Sequence, residues 1–226
     1  HQLNLNLENN GICGLLGKNG AGKTTLLKII AGLAFADEGT TQVLGHIPRK
    51  RHPNFLSEIY FLPEDFFVPA LTAEQYENFY ASFYPRFDHT LFLNNLAELE
   101  LPHKKLLTQF SQGQKKKFMI AFALATHCSL IIFDEPTNGL DIPSKTQFRK
   151  LLAATIAENR LFIISTHQVH DVEKLIDRVI ILDQGKIIYQ QTLVEEETRI
   201  DLEELFNKVI NETVKSSAAG ANHEYA

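Results

Sequence analysis

Several classes of protein are closed off by what this 226-residue sequence lacks. It has no basic excess, because 22 Lys and Arg stand against 27 Asp and Glu, a net charge of −5. That balance gives no footprint for nucleic acid over the chain as a whole and leaves only a local patch open. No apolar run approaches the roughly 20 residues needed to cross a bilayer as a helix. Cysteine occurs only as Cys13 and Cys128, each in or beside an apolar run that reads as a buried strand. Reduced core thiols of a cytosolic protein are expected rather than a disulfide. There is no internal repeat. The sequence starts at His1 without an initiator Met or a secretory pattern, so it is expected to begin inside a longer native chain.

Apolar residues are plentiful enough to form a core. Short β-rich runs alternate with longer helical patterns, which predicts an α/β domain with a mainly parallel sheet. The runs "ICGLL", "SLIIF", "LFIIS" and "RVIIL" are nearly all apolar, as strands covered on both faces must be. Helical periodicity predicts helices over residues 23–32, 72–84, 87–99, 111–126, 144–158 and 169–176. Thr72 and Gln75 fit a capping box at the start of the second. No strong strand lies between about residues 66 and 125, so this stretch is expected to form a helical subdomain inserted into the α/β core. The core is then about residues 1–65 and 126–200, with a helical tail over about 201–226. The last stretch, "VKSSAAGANHEYA", lacks periodicity and is expected to be loosely ordered.

"GLLGKNGAGKTTL" carries the most specific chemistry. Gly17, Lys18, Asn19, Gly20, Ala21, Gly22, Lys23 and Thr24 satisfy G-x-x-x-x-G-K-[ST], after an apolar strand and at the start of a helix, as the motif requires. Glycines let the backbone turn tightly and aim N–H groups inward, and the helix N-terminus adds a potential favourable to anions. Lys23 is placed to meet the β/γ-phosphates of a nucleotide, Thr24 to ligate Mg²⁺, and Thr25 follows within the same cradle. The plainer reading, a Gly-rich turn with a surface lysine, leaves the flanking strand and helix unexplained.

"SLIIFDEPTNGLD" ends a buried strand with Asp134 and Glu135. Open α/β sheets bind ligands at the carboxyl ends of their strands, which puts both acids beside the phosphate loop. Asp134 suits a hold on Mg²⁺, and Glu135 suits orienting or deprotonating an attacking water. The plainer alternative is that these acids cap the strand or pair with Lys23. His167 closes the strand "LFIISTH" on the same edge, after Ser165 and Thr166, and is a candidate γ-phosphate contact.

Together, the phosphate loop, "FSQGQ" at residues 110–114, "IIFDEPTNGLD" and "STH" resemble the nucleotide-binding domain of ABC-type ATPases, in order and over nearly the whole chain. The resemblance implies a P-loop NTPase core with an inserted helical subdomain, ATP and Mg²⁺ as ligands, and ATP hydrolysis. It implies that Ser111 and Gly113, with Gln114 beside them, contact the γ-phosphate held by an opposite protomer. Ser111 is also the expected N-cap of the following helix. Asp141 is implied as the residue that communicates across the dimer, and His167 as the switch histidine. The basic run after Gln114 reads as a solvated helix face, including Lys115 and Lys116.

Departures from the family pattern are informative. "FSQGQ" replaces LSGGQ, and Gln112 adds a side chain where the family has Gly. Glu64, in "YFLPEDF", stands where the family carries a glutamine after the strand entering the helical subdomain. Its carboxylate can accept from a Mg²⁺-bound water but adds negative charge near a triphosphate; otherwise it is a surface loop residue. The family's adenine-stacking aromatic lies well upstream of the phosphate loop, where this sequence starts too late to carry it. "NFYASFYPRFD", Glu64 and the short helical block are similar to small bacterial exporter ATPases linked to antibiotic or envelope stress.

The expected protein is therefore a cytosolic ATPase subunit on the inner face of the membrane. It would drive an integral-membrane permease and pair with itself or a related ATPase subunit, without nucleic acid. A soluble ABC-type ATPase acting on ribosomes or DNA is the rival. Such proteins carry two cassettes or a long coiled-coil insertion, and this sequence has neither. A nucleotide-gated module without turnover is disfavoured by the presence of both Glu135 and His167. Phe66, Phe67 and Val68, between Pro63 and Pro69, form an apolar cluster expected to meet the permease, with at least one phenylalanine in the core.

Overall fold

Alternation along the strands builds two cores back to back. In β1 (Gly11–Leu16), Ile12 and Leu16 face one cluster, while Cys13 and Leu15 face the other. The same division splits β3 (Leu130–Asp134), where Ile131 and Phe133 oppose Leu130 and Ile132. A side-chain period of two makes this unavoidable for a strand buried on both faces. These two strands belong to a six-stranded sheet. The others are β2 (Ile59–Leu62), β4 (Leu161–Thr166), β5 (Arg178–Asp183) and β6 (Lys186–Thr192). The order is β2-β3-β4-β1-β5-β6, parallel except for the antiparallel β5–β6 pair. This computed structural model describes residues 3–8, 10–155, 160–193 and 201–221, the last nine of these by backbone alone.

Helix α1 (Lys23–Ile30) and the short α2 (Pro53–Leu56) contribute Leu27, Ile30 and Phe55 to the core on one face. The other face is covered by α6 (Ile142–Thr155), which supplies Phe148 and Leu152. Helix α7 (Leu202–Ala221) adds Leu202 and Ile210 to that cover. Cys13 and Cys128 are free and lie in these opposite cores. Burial pushes each thiol up to about 12, so neither is a reactive thiolate at neutral pH.

The neighbouring parallel strands β2 and β3 need a crossover, and the whole helical stretch is that crossover. It holds α3 (Ala73–Tyr80), α4 (His89–Glu98) and α5 (Gln112–Ala125). Phe122 of α5 is the hub, with ring contacts to Tyr60, Tyr76, Tyr84, Phe87 and Phe92. Offset and edge-on aromatic pairs of this kind add to the area they bury. The Thr72 capping box is present: Gln75 N donates to Thr72 Oγ1 at 3.2 Å, and Thr72 N donates to Gln75 Oε1 at 2.9 Å. Replacing Thr72 by Ala is expected to destabilise the fold by about 1 kcal/mol. Urea unfolding should register this as a lower midpoint at unchanged m-value.

Three expectations need correction. Residues 169–176 do not form an α-helix; they make two 3₁₀ turns, Val169–Asp171 and Glu173–Leu175. Val172 between them leaves helical backbone at φ −130°, and Asp171 is drawn to Lys145 at 2.8 Å. The sheet contains β2, the strand expected before Glu64, but also a sixth strand that none of the apolar runs marks, β6, half-exposed at an antiparallel edge. Finally, α7 extends through Ala221 into the stretch expected to be loosely ordered. The expected helix end at residues 156–158 and the tail at 222–226 lie outside the described residues.

Candidate functional site

The phosphate loop joins the carboxyl end of β1 to the first turn of α1. Gly22 caps α1 at φ 105° with no side-chain cap bond, and Gly20 turns at φ 81°. These left-handed settings suit glycine and leave first-turn N–H groups to a ligand. Gly17 has a different reason: a Cβ there would stand 2.6 Å from Leu182 O of the adjacent β5. Asn19, Gly20, Gly22, Lys23, Thr24, Thr25, Glu64 and Glu135, with Lys18, line a cavity of about 290 Å³. Ala21 supports the loop from outside that lining, its N–H donating to Lys18 O at 3.1 Å. A wider open depression at residues 85–90 and His127 contains none of the predicted site residues.

Lys23 is buried, and its ammonium donates to Gly17 O at 2.8 Å while facing Glu135 Oε1 at 3.3 Å. Thr24 Oγ1 donates to Asp134 Oδ2 at 2.7 Å, and Ser165 Oγ donates to Asp134 Oδ1. Both Asp134 oxygens are therefore occupied by hydroxyls, which fixes the carboxylate behind Thr24. Glu135 sits at φ +49°, a strained setting for a residue with a side chain, of the kind that gathers at functional sites. Its N–H donates to Ser165 Oγ at 3.1 Å. Its Oε2 lies 3.0 Å from His167 Nδ1, a contact that needs a proton on the imidazole nitrogen or on the carboxyl. Glu135 Oε1 accepts no hydrogen bond among the described residues.

Glu64 is exposed, yet it lines the cavity and accepts from Asn138 Nδ2 at 2.6 Å. The surface-loop alternative thus describes its exposure but not its placement. Sequence gives Asn138 and Ser165 no role of their own, although "PTNGLD" and "STH" hold the signal for them.

Away from the cavity, Ser111 caps α5 with a full capping box. Gln114 N donates to Ser111 Oγ at 3.2 Å, and Ser111 N donates to Gln114 Oε1 at 3.1 Å. The Gln114 carboxamide is thereby committed to the cap. Gly113 packs near Leu140, whose Cδ2 would lie 3.8 Å from a Cβ there. Asp141 is exposed and accepts from Ser144 N at 2.9 Å; the Ser144 side chain first, and this backbone bond second, hold its carboxyl below the usual range. Ser111, Gly113, Gln114 and Asp141 do not line the cavity of their own chain. The solvated-face reading fails for Lys116, which is buried against the carbonyls of Glu135 and Asn138. Lys115 is half-buried.

The family model described as ABC transporter matches residues 1–138. The chain belongs to the ABC transporter ATPases. It is an ATP-binding, ATP-hydrolysing subunit of such a transporter. Among relatives, the ABC transporter ATP-binding protein YtrB of Bacillus subtilis (strain 168) is 30% identical over 216 residues, covering 94% of this chain and 74% of YtrB. The SkfA peptide export ATP-binding protein SkfE of the same strain is 33% identical over 195 residues, covering 82% of this chain and 80% of SkfE. A solved structure of an ATP-binding subunit of an ABC transporter superposes with a TM-score of 0.77 at 25% identity, covering 88% of each chain. Among the described residues, no helix of this ABC ATPase is long and apolar enough to cross a membrane.

Proposed function

We propose that this ABC ATPase binds Mg-ATP in the cavity at the end of β1 and hydrolyses it with Glu135. A single observation carries the reading: Lys23, Thr24, Glu64 and Glu135 line one cavity, with Asp134 and His167 bonded directly to them. The loop N–H groups, with Gly17, Asn19, Gly20, Ala21, Gly22 and Thr25 shaping the cradle, receive the phosphates. Lys23 swings its ammonium from Gly17 O toward the β/γ-phosphates.

The donor set fits a hard divalent cation, because Thr24 Oγ1 and Asp134 Oδ2 already lie 2.7 Å apart at the cavity wall. Mg²⁺ held there would neutralise charge on the phosphate oxygens. Glu135 Oε1, which accepts no hydrogen bond among the described residues and faces Lys23 at 3.3 Å, is the atom left for a water once the ammonium moves to the phosphates. His167 holds Oε2 and so fixes which way Oε1 points. Glu64 adds a carboxylate at the rim, where it would accept from a water of the ion.

Ser111 is exposed and Gly113 half-buried at the N-terminus of α5, beside Leu140 of the Asp141 turn. A second copy or a related ATPase subunit closing on this face would bring them to its nucleotide. An integral-membrane permease is the further partner, which places the chain as a peripheral protein on the inner face of the membrane. The likeness to SkfE, named for peptide export, supports export as the direction, with peptides as the substrate class.

Phe67 is the proposed permease contact. It is 84% exposed, while Val68 is 4% exposed and Phe66 packs on the core. Pro63 and Pro69 stiffen the loop on either side, so a shift at Glu64 reaches the phenylalanine. Phe67→Asp is expected to leave stability within about 0.5 kcal/mol, as for surface substitutions generally. ATP affinity and basal turnover of the isolated subunit should stay at parent values. Co-purification with the membrane subunit from detergent-solubilised membranes should be lost. A folded variant that still co-purifies would move the docking groove elsewhere.

A further inference from the structure

Lys116 stands in the second turn of α5 and is 8% exposed. A buried ammonium needs acceptors in place of water, and backbone carbonyls provide them here. Lys116 Nζ donates to Glu135 O at 3.1 Å and to Asn138 O at 2.9 Å. Those carbonyls bracket the turn after Asp134, which Asn138 N closes on Glu135 O at 3.2 Å. From the opposite side, Asn138 Nδ2 grips Glu64 Oε1 at 2.6 Å. Glu135, at φ +49°, keeps its backbone setting only if its surroundings hold it.

We propose that Lys116 is the positioning residue for Glu135, its ammonium pinning the 135–138 turn and so aiming the carboxylate between Lys23 and His167. The proposal rests on Glu135 being the carboxylate that orients water. Burial lowers the pKa of the ammonium, and the carboxylates of Glu64 and Glu135 act against that, which agrees with a cation placed to serve both loops. The same helix presents Ser111 and Gly113 at its N-terminus. Lys116 therefore ties the surface offered to a second subunit to the hydrolytic group of its own chain.

The test compares Lys116→Met, Lys116→Arg and Glu135→Gln with the parent chain. Calorimetric titration with Mg-ATP gives Kd and the number of competent sites, and steady-state turnover then gives kcat per competent site. This normalisation removes losses that come only from misfolded protein. For Lys116→Met, Kd should stay within about twofold while kcat per site falls about tenfold or more, as misplacing a reacting group does. Lys116→Arg keeps charge and donors, and should return kcat per site to within about threefold of the parent. Parent kcat per site in Lys116→Met, or Kd rising in step with the loss of kcat, would assign Lys116 to the fold alone. If the Met variant does not fold, Lys116→Gln is held to the same thresholds, its shorter side chain being unable to span both carbonyls. An arginine variant as slow as Glu135→Gln also contradicts the proposal. Failure of the Glu135 reading itself is seen separately, as parent-rate turnover by Glu135→Gln.

Discussion

Glu135→Gln is expected to bind Mg-ATP as the parent does and to lose turnover by about 10²- to 10⁴-fold, the range for a lost general base or water-orienting group. The amide is nearly isosteric, so the fold around it should persist. It still meets His167 and Lys23, but it can neither accept a proton from water nor orient one through a full negative charge. Phosphate release from purified protein at saturating Mg-ATP measures the loss directly. Parent-rate hydrolysis would make Glu135 a structural acid, held at the end of β3 by its contacts to Lys23, His167, Ser165 and Lys116.

Lys23→Ala should act one step earlier and remove tight binding. The ammonium is the motif-placed cation lining the cavity, and it stands 2.8 Å from Gly17 O. Losing a charge-assisted contact to a phosphate costs about 1.5–3 kcal/mol or more. That is roughly 10- to 150-fold in affinity. Removing Lys23 also leaves Glu135 Oε1, which has no hydrogen-bond donor, without its facing cation. Calorimetric titration with Mg-ATP checks the prediction, and unchanged affinity would take the phosphate loop out of the site.

The two residues differ in how they could be read from the sequence. Lys23 is fixed by local spacing: eight consecutive positions, a strand before them and a helix after them. Asp134 and His167 follow almost as directly, because an all-apolar strand that ends in a polar residue places it on the ligand-binding edge of a parallel sheet. The capping boxes at Thr72 and Ser111 are equally local. What escaped was tertiary. Lys116 lies in a run of three lysines, and only the fold brings the 135–138 turn against the second of them. Asn138 meets Glu64 across 74 residues of chain, a contact that neither local pattern contains.

Failures in the fold have the same origin. Val169 to Ile176 has helical spacing, but Lys145 and the start of α7 claim Asp171 and Glu173, and the segment breaks into two 3₁₀ turns. Strand β6 reads KIIYQQT at an exposed edge, so its apolar run is only three residues long, between polar ones, and does not stand out as a buried strand. The two cysteines were legible because both lie in runs that had to be buried. Alternation along β1 puts Cys13 in one core, and Cys128, just before β3, lies in the other.

The central claim is that binding of ATP, before hydrolysis, closes two subunits over the nucleotides through Ser111 and Gly113 of each partner. Light scattering of Glu135→Gln with and without Mg-ATP tests it most directly, because blocked hydrolysis holds the closed state. The account predicts a monomer without nucleotide and a dimer with it. It also predicts that adding Ser111→Arg to the same chain restores the monomer while ATP still binds. A mass that does not change on adding ATP, or a dimer indifferent to Ser111→Arg, would contradict it.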